Sequence, residues 1–197
     1  MVFAKLVKNL ASEEQFNKQF GAAGANKMLG KILTPPIGIP PIGMPIAKLD
    51  ELRVAISAAV WKLAEIPSNR DALVLEKAHR SVVDILKETE NEDVIEKAAG
   101  ALMVLGTHPD ESVKEDCLNA DAVQCLVAKL EVSKGKLSVR NVVAALLVLT
   151  SEKNNLEVMM SLKETINEQL VNLEGLIATE KQLESFVDHL QTRLASN

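Results

Sequence analysis

Aromatic residues are nearly missing from this 197-residue chain, which has four Phe, one Trp and no Tyr. That scarcity disfavours an all-β sandwich, whose strands enrich aromatic and β-branched residues. It also disfavours single-strand nucleic-acid modules, which need aromatic platforms for stacking. Cysteine is equally scarce. Cys117 and Cys125 form no metal-spaced pair and no disulfide framework, which points to a reducing compartment and a cytoplasmic setting. No apolar run approaches about 18 residues, so no membrane insertion is expected. The opening Met1-Val2-Phe3-Ala4-Lys5-Leu6-Val7-Lys8 lacks the apolar stretch of a signal peptide, and Val2 excludes N-myristoylation of this start. Excess positive charge is also lacking. The net charge is −5, so nothing drives nonspecific nucleic-acid binding overall. The charge is unevenly spread. Residues 1–49 carry six Lys and two Glu, while residues 50–197 carry 16 basic and 25 acidic residues.

What the chain does have is helical periodicity. Apolar residues recur three and four apart, and Gly and Pro are sparse outside one segment. Three stretches align with one another: Ala59-Val60-Trp61-Lys62-Leu63, Ala101-Leu102-Met103-Val104-Leu105 and Ala145-Leu146-Leu147-Val148-Leu149. Their offsets are 42 and 44 residues. Each precedes a polar break and another apolar helix, in which Val82, Leu126 and Leu170 correspond. A fourth copy opens the chain: Leu29 and Leu33 lie 19 and 23 residues after Leu10, as Val82 and Leu86 do after Leu63. Ser12 with Gln15, Ser68 before Asp71, and Thr107 before Pro109-Asp110 read as helix-start signals in the breaks. Leu63, Leu105 and Leu149 are expected at buried interfaces between units. The small pairs Ala58-Ala59, Ala98-Ala99 and Ala144-Ala145 are expected where helices approach closely.

A period of about 40–47 residues with two or three helices per unit is that of armadillo and HEAT repeats. The chain resembles the armadillo family in Asn9-Leu10-Ala11-Ser12-Glu13, Ala23-Gly24-Ala25-Asn26-Lys27-Met28-Leu29, Ala98-Ala99-Gly100-Ala101-Leu102 and Asn119-Ala120-Asp121-Ala122-Val123. The resemblance implies an all-α, right-handed α-solenoid of about four repeats over residues 1–178. A C-terminal capping helix is expected over 179–197, started by Thr179 with Gln182 and continued by Leu183, Val187, Leu190 and Leu194. The family's third helices line a concave face. Members that import basic cargo carry Trp there, with Asn four residues later, in each repeat. The matching positions here are Lys5 and Asn9, Ala58 and Lys62, Gly100 and Val104, and Ala144 and Val148. Only Asn9 keeps the family residue, which argues against an import receptor. Trp61 is displaced from the ladder and reads as an inter-layer packing residue. Ala58, Gly100, Val104, Ala144 and Val148 make an apolar, small-residue strip that could receive an amphipathic helix.

One segment interrupts the pattern. Residues 34–46 hold five of the seven prolines and a tandem repeat, Pro35-Pro36-Ile37-Gly38-Ile39 then Pro40-Pro41-Ile42-Gly43-Met44. Such proline density forbids helix and favours extended polyproline II geometry. The segment carries no charge. It either covers the array's own first layer or docks a partner through Ile37, Ile39, Ile42 and Met44. Membrane contact is the weakest reading, because polyproline geometry leaves backbone polar groups unsatisfied in lipid.

No catalytic constellation emerges. His79, His108 and His189 fall in separate units, and no glycine-rich phosphate loop follows a strand. The acidic cluster Glu88, Glu90, Glu92 and Asp93 reads as solvated surface between units. The expectation is a non-enzymatic interaction scaffold that needs no cofactor and no metal. It would bind another protein, as a helix or peptide, through the concave strip and the Pro-rich loop. The alternative is a structural subunit that self-associates, as a homo-oligomer, through that loop.

Overall fold

In a computed structural model of the chain, the structure describes residues 45–195 together with Asn9, Gln19 and Gly24. All regular structure among these residues is helical. Eleven helices follow in order between residues 45 and 195. They are α1 (Ile46–Ala64), α2 (Pro67–Leu75), α3 (Ala78–Lys87), α4 (Glu92–Leu105), α5 (Ser112–Asn119), α6 (Ala122–Val132), α7 (Lys136–Leu149), α8 (Lys153–Ser161), α9 (Lys163–Asn172), α10 (Glu174–Ile177) and α11 (Lys181–Ala195).

The helix starts are chemically distinct. Pro45 precedes α1 in extended geometry, as a proline must at a helix entry. Pro67 occupies the first turn of α2, where its missing N–H costs nothing. Asn91 caps α4, accepting from the amides of Asp93 at 3.0 Å and Val94 at 3.3 Å. Glu152 caps α8 in the same way, through the amides of Asn154 at 2.8 Å and Asn155 at 3.1 Å. The sequence-based start signals lie slightly off these positions. Ser68 sits inside α2 rather than before it. The Thr107 hydroxyl donates back to the Val104 carbonyl at 2.7 Å, and Asp110 instead accepts from Ser112 N. The Thr179 hydroxyl likewise donates to the Leu176 carbonyl at 2.6 Å, while α11 begins at Lys181. Ser and Thr hydroxyls can close a preceding helix as readily as they open the next one.

The two largest helix interfaces run in series from α1 to α4 and from α4 to α7, and α11 packs on α7 in turn. Leu63, Leu105 and Leu149 are fully buried, as expected from the sequence. Ala59, Ala98, Ala99 and Ala145 are fully buried beside them. Their single methyl groups leave room for close helix approach. The shorter helices pack on these: α3 against α4, and α6 against α7 and α9 on either flank of the core.

The turn before α3 and the turn before α6 use the same uncommon backbone. Lys77 has φ 57° and Asp121 has φ 54°, both in the left-handed region. Gly24 shares that region at φ 85°. Each of the three immediately precedes an alanine in the sequence, Ala25, Ala78 or Ala122. The turns before α3 and α6 thus share one backbone device, with side chains held in a region that L residues disfavour.

Polar side chains also tie successive elements together. Asn141 Nδ2 donates to Glu96 O at 3.0 Å, and Asn155 Nδ2 donates to Lys114 O at 3.1 Å. Arg193 donates to Leu147 O at 2.7 Å and to the Thr150 hydroxyl at 3.1 Å. Glu92 is not the solvated carboxylate expected from its acidic cluster. Its Oε1 accepts from Lys134 N and Ser138 Oγ at 2.7 Å each, and from Gly135 N. It thus caps the start of α7 from the first turn of α4. Partial burial pushes its carboxyl upward, but these hydrogen bonds outweigh that and hold it below the ordinary glutamate range.

Candidate interaction surface

The face along α1, α4 and α7 is the place where the sequence puts its binding strip. Ala58 and Ala144 are each only 4% exposed, and Gly100 is buried. These three positions form the floor of the strip and offer no projecting side chain. Lys62, Val104 and Val148, one helical turn further on, are half-buried and reach solvent. Trp61, Met103 and Leu147 are half-buried beside them and pack against the core.

Trp61 explains the glycine. A Cβ built on Gly100 would lie 2.7 Å from Trp61 Cε3 and Cζ3, closer than any real contact. The indole therefore rests on bare backbone of α4, and α4 can accept it only because residue 100 has no side chain. Two cations flank the ring, with Lys62 Nζ 5.7 Å and Lys97 Nζ 5.8 Å from its centroid. Both distances suit cation–π attraction. Trp61 thus packs between α1 and α4 and keeps one part at the surface. A similar approach occurs further along, where a Cβ on Gly106 would lie 2.9 Å from Val148 Cγ1. Sequence reasoning treated Gly100 as a groove position and missed its dependence on Trp61. The signal was available: the chain's only tryptophan, and a glycine 39 residues later inside an Ala-rich helix.

Asn9 is helical and exposed. It borders a cleft of about 560 Å³ whose apolar wall is Ile46, Ala47, Val54 and Ala55 of α1, with Asn91 and Asp93 opposite. Lys5, Ile37, Ile39, Ile42 and Met44 lie outside the described residues.

The histidines away from this face have partners within the fold, and both cysteines are buried. His79 is fully buried, and its Nε2 donates to Asp116 Oδ2 at 3.0 Å. Lys77 Nζ at 2.7 Å and Arg80 Nη2 at 3.0 Å complete the ring around Asp116. Burial lowers the His79 pKa from its ordinary value, and Asp116 opposes that only in part. Its Nδ1 has no hydrogen-bond partner. His108 donates to Asp71 Oδ1 at 3.1 Å and accepts from Asp110 N at 3.1 Å. His189 Nδ1 donates to Ser185 O at 2.6 Å, within its own helix. Cys117 and Cys125 are both free and buried. Burial pushes the Cys117 thiol up to about 12 and raises Cys125 as well, so neither supplies a thiolate at neutral pH. Among the described residues no group of three or more His, Cys, Asp or Glu side chains is placed to hold a metal ion. No helix among them is long and apolar enough to cross a membrane. Comparison of the sequence with protein-family models and with curated proteins finds no match.

Proposed function

We propose that the chain is an armadillo-like, right-handed α-solenoid of about four repeats that acts as a non-enzymatic protein-interaction scaffold in the cytoplasm. In this reading α1, α4 and α7 are third helices of successive units, after a first copy that opens the chain. The contacts of α1 with α4 and of α4 with α7 support it, as does the left-handed residue before both α3 and α6, Lys77 and Asp121. The C-terminal helix α11 packs on α7, as a cap on the array's core would. The two buried free thiols suit a reducing compartment.

The observation that carries the binding role is the surface around Trp61. A half-exposed indole held by Gly100 and bracketed by Lys62 and Lys97 sits beside Met103, Val104, Leu147 and Val148. An aromatic anchor of low entropy cost amid aliphatic neighbours is the composition of an interaction hot spot. A partner helix would lay an apolar edge across this face, and carboxylates on its flank would meet the two lysines. The proline-rich loop is a second contact.

The test is quantitative affinity capture from lysate with three forms of the chain: intact, Val104→Glu, and lacking residues 34–46. Val104 is half-exposed, so the charged side chain should leave the fold intact. A specific partner lost with Val104→Glu supports the third-helix face. A partner retained by Val104→Glu and lost with the deletion would move the function to the loop.

A further inference from the structure

A second groove, with an apolar floor, shares no lining residue with the Trp61 face. It is formed by α9, α10 and α11, with a volume of about 330 Å³. Leu170 and Val187 form its floor and are nearly fully buried. Val171 stands on its rim at 69% exposure, one of the few large apolar side chains so exposed. A Cβ added to the nearby Gly175 would meet nothing within 4 Å, so this side of the molecule is open.

The rim is acidic. Glu174, Glu184 and Asp188 all border the groove, and no Lys, Arg or His borders it among the described residues. None of the three takes part in an ion pair there, although nearby carboxylates do: Glu180 reaches Arg140 at 3.7 Å, and Glu157 reaches Lys153 at 3.9 Å. Three unpaired carboxylates around an apolar floor make a one-signed field over a hydrophobic seat. Such a seat attracts a partner of opposite charge and repels one of like charge.

We propose that this groove docks a basic amphipathic helix of a partner protein. The partner's aliphatic side chains, spaced at i, i+3 or i+4 and i+7, would cover Val171, Leu170 and Val187. Its Lys or Arg side chains would flank that stripe and meet Glu174 on one side and Glu184 and Asp188 on the other. This surface is separate from the Trp61 face, so the two proposals fail independently.

The probe is a synthetic, fluorescently labelled helix of roughly 18 residues, long enough to hold helical structure, with a Leu stripe flanked by Lys. A matched peptide carries Glu in place of every Lys. Both are titrated by anisotropy into the intact chain and into Val171→Glu, Asp188→Lys and Glu131→Lys. Glu131 is exposed on α6, away from the groove, and its substitution changes the net charge as much as Asp188→Lys does. Val171 and Asp188 are also exposed, and unchanged circular dichroism melting confirms the fold of each variant. The expected result is saturable binding of the Lys peptide, weakened about tenfold or more by Val171→Glu and by Asp188→Lys. Glu131→Lys should change it by less than about twofold, as a rim charge remote from the site would. The Glu peptide should not bind. Equal weakening by Glu131→Lys would mean general attraction to an acidic protein and would overturn the proposal. So would absent binding of the Lys peptide. Concentration-dependent self-association of the intact chain in sedimentation, abolished by Val171→Glu, would assign the groove to a second copy instead and would also overturn it.

Discussion

Single residues show where packing and backbone geometry override residue type. Gly100 is required by the Trp61 ring, so Gly100→Ala is expected to displace the indole and to cost about 1–3 kcal/mol through overpacking. Chemical denaturation measures that cost, and the emission of the single tryptophan reports the displacement directly. In a Trp61→Ala background Gly100→Ala should cost little further, because the clash partner is then gone. Lys77 is the opposite case, a side chain forced to φ 57°. Lys77→Gly should raise stability by up to about 1 kcal/mol, less the small share of its exposed ion pair with Asp116. Lys77→Val should lower it, since a β-branched residue tolerates that region worst. His79 gives the chain a pH response. Its native pKa lies below the unfolded value of about 6.5, so the unfolded chain takes up the proton first as pH falls. Its contribution is complete above about 6.5 and is lost progressively as pH drops toward and through the lowered native value. Thermal melting between pH 7 and about 5 should therefore decline in the intact chain and flatten over that window in His79→Gln.

At the scale of elements, the interfaces between helices carry the stability. Leu105 is fully buried between α4 and its neighbours, so Leu105→Ala should cost about 2–5 kcal/mol in denaturant unfolding. An unchanged midpoint there would mean that the 42- and 44-residue register is wrong. Glu92 caps the start of α7 from α4, so Glu92→Gln should cost about 0.5–2 kcal/mol, as losing a cap does. Because its carboxyl is held below the ordinary range, that contribution is full above about 4.3 and fades as pH falls through the lowered value. The helices themselves were legible in the sequence, since an apolar stripe at spacing 3.6 and an Ala-rich seam admit little else. The caps were less so. Thr107 and Thr179 carry the right side chains for a helix start, yet each hydroxyl closes the helix before it. Glu92 read as surface because the donors to its carboxylate come from residues 134–138, which no local window contains.

Considered as a whole, the molecule exposes apolar side chains at several places among the described residues, including the Trp61 face, the cleft beside Ile46 and the α9–α11 groove. The shortage of aromatics follows from the packing of the helices. Layers seated on Ala59, Ala98, Ala99 and Ala145 have no room for rings, and the single indole is admitted only where a glycine faces it. The candidate strip was half legible. Ala58, Gly100 and Ala144 are buried, and the side chains beside them that reach solvent are Trp61, Lys62, Met103, Val104, Leu147 and Val148. Periodicity assigns a face to a residue but not its depth, which depends on the neighbouring helix. The central claim is that a partner binds across that face, and Trp61 is its built-in reporter because the chain has no other tryptophan. The decisive measurement is Trp61 emission while a partner captured by the intact chain is titrated in, repeated with Val104→Glu. A saturable spectral change in the intact chain, lost in a folded Val104→Glu variant, is the result expected. Full-affinity binding with no change in Trp61 emission, equally strong in Val104→Glu, would contradict the claim.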